Sequence, residues 1–142
     1  MKKFFVLLIL FLFSWKNAYG LITVDITRGN LDPLPIAVSP LHVDQKSEKI
    51  KPLETINLGE EISKIVERNF RSTGLFNPLK KDSFVQKPDI AHLKPRFEDW
   101  RLIKAQALVT GKLLIKDKKL KVEFRLWDLT AGKEMIALSF TT

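Results

Sequence analysis

From Leu120 to Trp127 two sets of side chains alternate without a break. Leu120, Val122, Phe124 and Leu126 fall on one side, and Lys121, Glu123, Arg125 and Trp127 on the other. A period of two is the mark of a strand with one face turned to a core. This strand does not stand alone. Leu108–Ile115 precedes it across an Asp117-Lys118 turn. Ile136, Leu138 and Phe140 alternate beyond a second turn at Ala131-Gly132. Three consecutive strands with short turns read as an antiparallel meander. A meander exposes an apolar face that another layer must cover.

The covering layer is found upstream. Ile62, Ile65, Val66 and Phe70 recur at helical spacing, with Lys64, Glu67, Arg68 and Arg71 mostly opposite. Asn57 with Glu60 three residues later forms a capping-box pattern. Gly74 stands where a left-handed cap ends a helix, and Asn77-Pro78 prevents its continuation. Phe97, Trp100 and Ile103 predict a second, shorter helix over Phe97–Gln106. Asp32-Pro33-Leu34-Pro35 reads as a stiff turn, and Ile36–Val38 as a short buried strand stopped by Pro40. Asp44–Pro52 and Lys80–Pro95 read as loops. Leu21–Ile26 also alternates, with Ile22, Val24 and Ile26 on one side. The expected class is α/β in the α+β sense. It is a mixed sheet of about five strands, with helices packed on one face and an antiparallel meander at the end.

The first twenty residues read differently. Lys2 and Lys3 precede ten unbroken apolar residues, Phe4–Phe13. A short polar stretch then ends in Ala18-Tyr19-Gly20. That is a secretory leader, with cleavage expected before Leu21. The apolar run falls well short of the roughly 20 residues a spanning helix needs, which weighs against an uncleaved anchor. Residues 1–20 are therefore read as a signal peptide and 21–142 as one domain. Removing the three leader lysines lowers the net charge from +8 to +5 over 122 residues. The expected location is the bacterial periplasm.

The chemistry-bearing residues are few. The chain has no cysteine, which excludes disulfides, thiol catalysis, cysteine-ligated zinc and a lipoprotein cysteine. Its two histidines, His42 and His92, lie in predicted loops without metal-ligand spacing. No Gly-x-Ser-x-Gly elbow or phosphate loop occurs. Lys116, Lys118, Lys119 and Lys121 surround a predicted hairpin turn, where lysines keep a hairpin solvated. No catalytic residue, cofactor, metal, nucleic acid or small-molecule substrate is expected. The segment with functional potential is Leu21, Ile22, Thr23, Val24, Asp25 and Ile26. A terminal strand held by a Gly/Asn/Pro turn can leave its own sheet and add to the edge of another.

Four motifs, in order behind the leader, carry a family resemblance. They are Pro35-Ile-Ala-Val38, Phe70-Arg-Ser-Thr-Gly-Leu-Phe-Asn-Pro-Leu79, Trp100-Arg101 with Ala107-Leu-Val-Thr-Gly111, and Val122-Glu-Phe-Arg-Leu-Trp-Asp128. Together they resemble the TolB N-terminal domain family of the Gram-negative Tol–Pal system. The resemblance implies a non-enzymatic periplasmic module serving protein transport, outer-membrane integrity and cell division. It implies that Leu21–Ile26 contacts the C-terminal domain of TolA, with Asp25 departing from the family's usual choice. In the family a further helix closes this domain and a six-bladed β-propeller follows. By that comparison residues 21–142 hold an incomplete copy, and Pal binding, a propeller activity, is not expected. The other readings were a secreted small ligand-binding protein or enzyme and a fragment of a split gene.

Overall fold

The computed structural model describes residues 32–47 and 52–142, with side chains of the first helix described from Leu58 onward. Strand β1 (Leu34–Val38) and the two-residue β2 (His42–Val43) come first, then helix α1 (Pro52–Ser72). Strand β3 (Phe76–Pro78), a 3-10 turn (Lys81–Ser83) and two short helices, α2 (Pro88–Ala91) and α3 (Phe97–Leu102), follow. The meander is β4 (Ala107–Lys116), β5 (Lys119–Asp128) and β6 (Lys133–Thr141). The sheet runs β3-β1-β4-β5-β6, with β2 also paired to β4. β1 pairs in parallel with β3 and β4, whereas β4, β5 and β6 are antiparallel. The class is α+β with a mixed sheet of six strands, and the meander stands as read.

Several local expectations are corrected. α1 begins at Pro52, so Asn57 lies inside the helix and is not its N-cap. Proline is at home in a first turn, where its missing N–H has no partner to lose. Ile65, placed on the buried face by its spacing, is 47% exposed; Ile62, Val66 and Phe70 make the contacts. Gly74 does take the left-handed conformation, φ 70°. Pro35 is part of β1 rather than of a turn before it. Pairing with β4 starts one residue later, at Ile36 opposite Ala107, and the Pro35 carbonyl accepts from Gln106 N–H at 2.9 Å. Pro78 is tolerated because β3 is an edge strand. The stretch read as one loop, Lys80–Pro95, contains the 3-10 turn and α2. α3 is shorter than expected. Lys104 turns to φ 62° and Ala105 N–H donates back to the Trp100 carbonyl at 3.1 Å.

Helices lie on both faces of the sheet, not one. α1 covers Ile36, Val38 and Val109 with Val66 and Phe70, and covers Leu113 with Leu58 and Ile62. The opposite face presents Ala37, Leu108 and Trp127 to Ala91 and Trp100. Here two indoles satisfy their N–H groups inside the core. Trp100 Nε1 donates to Gln86 Oε1 and Trp127 Nε1 to Thr110 Oγ1, both at 2.9 Å. A buried indole without such a partner would carry a desolvation penalty of about 1–3 kcal/mol.

Candidate functional site

The expected partner-binding residues Leu21, Ile22, Thr23, Val24, Asp25 and Ile26 lie outside the described residues, as does the leader. The described part shows where that segment enters the fold. β1, the strand it precedes, is interior to the sheet and pinned on both sides. On the β3 side Leu34 N–H donates to the Leu75 carbonyl, and on the β4 side Ser39 N–H donates to the Val109 carbonyl, both at 2.9 Å. The chain therefore reaches its first strand at a rigid point.

The two ends of the sheet offer different edges. β3 is three residues long and ends in proline, and both features blunt an edge. β6 is nine residues long and carries no charge from Met135 to Thr141. Its Ile136, Leu138 and Phe140 are 48%, 52% and 55% exposed. α1 stops short of them. Between Val66 and Phe70 of α1, Leu126 of β5, and Ile136 and Leu138 of β6 lies an apolar hollow of about 220 Å³.

The other face of the same strands is polar. Glu123 lies 2.8 Å from Lys121 Nζ and 3.6 Å from Lys112 Nζ, and Arg125 lies 3.2 Å from Glu134. The hydrogen bond from Lys121 and the positive charges hold the Glu123 carboxyl below its ordinary pKa of 4.5, against the opposing effect of burial. These are surface ion pairs, worth at most about 1 kcal/mol each.

The histidines are not the separate loop residues the sequence suggested. His42 is in β2, and its ring stacks on His92 with centroids 4.1 Å apart and planes within 2°. The contact spans 50 residues of sequence, and no local pattern encodes it. His92 Nδ1 lies 3.0 Å from the Pro88 carbonyl. A carbonyl only accepts, so the ring carries its proton on Nδ1 and donates it. Burial, and then the neighbouring His92, hold His42 below its ordinary 6.5, with Asp44 and Asp89 pulling the other way. No group of three or more His, Asp or Glu side chains suited to a metal ion occurs among the described residues.

A family model described as the TolB amino-terminal domain matches residues 22–135. The chain belongs to the TolB amino-terminal domain family. The Tol-Pal system protein TolB of Pelagibacter ubique is 64% identical over 138 residues, which cover 96% of this chain and 31% of that protein. The chain thus spans less than a third of that curated relative's length. Among solved structures, TolB from Acinetobacter baumannii superposes with a TM-score of 0.56 at 17% identity, over 78% of this chain and 23% of that one. The NMR structure of Escherichia coli LpoB gives 0.57 at 9% identity, over 77% and 57%. At these identities the structural likeness shows a shared fold. The kinship to TolB rests on the family match and the Pelagibacter relative.

Proposed function

We propose that the chain serves the Tol–Pal envelope system as a non-enzymatic interaction module in the periplasm. In this reading residues 1–20 are removed on export. Residues 21–142 then present Leu21–Ile26 to the C-terminal domain of TolA. The observation that carries the proposal is the 64% identity to a Tol-Pal system TolB across 96% of the chain. The alternation of Ile22, Val24 and Ile26 supports the mode of contact. β-addition draws affinity from backbone groups, which any sequence supplies, and specificity from alternate side chains. Eight residue steps separate Ile26 from Leu34, which limits the span between them to at most about 26 Å.

The test is a calorimetric titration of the chain against the TolA C-terminal domain. Deleting Leu21–Ile26 is expected to abolish binding. Val24→Asp should weaken it strongly, because an apolar side chain worth about 1.5–3 kcal/mol on burial is replaced by a charge. Thr23→Ser should change little. A deletion variant that binds as well as the parent would overturn the assignment.

A further inference from the structure

The His42–His92 stack joins two elements that little else holds together. β2 is two residues long, pairs only with β4, and sits at the margin of the sheet. α2 is a single turn, and His92 is its C-terminal cap. The ring pair closes one over the other, beside a hollow bounded by Pro40, Leu41, Val43, Glu60, Lys87 and Asp89. We propose that this stack is an acid-released latch: the two stacked rings hold the end of α2 against β2, and acid, by charging the stack, separates them. The inference does not depend on the partner named above.

The argument rests on geometry. Parallel rings 4.1 Å apart would place two imidazolium charges in direct contact, where like charges repel. The surroundings supply only partial compensation. Just after β2, Asp44 lies near His42; on the α2 side, Asp89 does, with Lys87 one residue before that helix. On β4, Lys112 is the register partner of His42 and adds a third positive charge. α1 contributes Glu60 to the hollow's wall. On the far side of His92, Glu123 and Arg125 of β5 line a second small hollow with Lys112, but Glu123 is already engaged by Lys112 and Lys121. Asp44 and Asp89 favour a charged His42, but burial, the adjacent ring and Lys112 oppose it, and the net effect disfavours the charged form. His92 also donates Nδ1–H to Pro88, so the loss of ring geometry unties the end of α2 directly. Histidine is the side chain that changes charge between about pH 5 and 8, so this is the window of release.

The sign is fixed by the direction of the His42 shift. A histidine held below its ordinary 6.5 in the folded chain favours the neutral form. Folded structure around it is stable above that value and is lost as pH falls through it, because the opened state takes up the proton more readily.

Amide hydrogen exchange on the full chain, followed by NMR and corrected for intrinsic pH dependence, reads the latch. Between about pH 7.5 and pH 5, protection of Ile90, Ala91, His92 and Leu93 should fall by about 5- to 150-fold, the usual range of a coupling between sites. Leu129, whose N–H donates to the Gln106 carbonyl at 3.0 Å well away from the stack, should hold its protection. His42→Phe and His92→Phe keep a stackable ring that cannot be charged, so each should keep α2 protected in acid. Asp89→Asn removes a charge that favours the protonated ring, so α2 should lose at least as much protection in acid as in the parent. Protection of α2 that is independent of pH, or a His42→Phe chain that opens in acid as the parent does, would overturn the latch.

Discussion

β4 and β6 carry the same kind of message in sequence and meet opposite fates. Along β4, Leu108, Val109, Leu113 and Ile115 are all buried, and Leu108 and Leu113 are fully so. Along β6 every residue is exposed, including Ile136, Leu138 and Phe140. The difference lies in place. β4 is flanked by β1 and β2 on one side and β5 on the other, with α1 over one face and Trp100 under the opposite one. β6 ends the sheet, and α1 reaches only as far as the hollow beside it. Alternation therefore specifies that a segment is a strand and which way its side chains point. Cover is decided by what the rest of the chain brings over it.

A matched pair of truncations is the strongest way to break this contrast. Leu108→Ala is expected to cost about 2–5 kcal/mol, since it empties a fully enclosed site between helix and sheet. Leu138→Ala, in a strand of similar appearance, should cost less than about 1 kcal/mol, because half of the side chain already meets water. Urea unfolding of the two variants gives the comparison. Equal losses would mean that β6 is covered in solution.

Backbone approach sharpens it further. Gly111 of β4 has no room for a methyl group, because a Cβ there would run into the Glu123 carbonyl and the Leu41 side chain. Gly111→Ala should cost about 1–3 kcal/mol by overpacking. Ser139→Ala, on exposed β6, should stay within about 0.5 kcal/mol. Thermal melts would reveal the difference as separated transition midpoints for the first variant only.

The smallest expected effect is electrostatic. With its carboxyl held below 4.5 by Lys121 and Lys112, Glu123 contributes stability that is present above that value and fades as pH falls through it. Glu123→Gln should lower stability by no more than about 1 kcal/mol at neutral pH, with the loss shrinking toward zero as the parent's carboxyl is protonated in acid. A loss that persists undiminished in acid would contradict this ion-pair account.

The meander, α1 and α3 were legible in the sequence because their periods are local. The start of α1 lies six residues before the one that an Asn57 cap implies. Asn57 and Glu60 imitate a capping box inside a helix that the apolar stripe does not mark before Leu58. β3 was missed because Asn77-Pro78 reads as a stop signal, and only an edge position makes that proline acceptable. Pro35 was read as a turn residue for the same reason. Its missing N–H is harmless only because β4 begins opposite the next residue. The histidine stack was invisible, since it joins segments 50 positions apart that the β2–β4 pairing brings near one another. Of the expected site, the alternation of Leu21–Ile26 was legible. Its use as a contact depends on a second protein.

That dependence selects the decisive measurement. The labelled chain, titrated with the TolA C-terminal domain, reports on every backbone amide at once by NMR. The account predicts that resonances of Leu21–Ile26 shift or broaden first and most, while Ile136, Leu138 and Phe140 of β6 stay in place. Perturbation centred on β6 and the hollow beside α1, with Leu21–Ile26 unchanged, would contradict it.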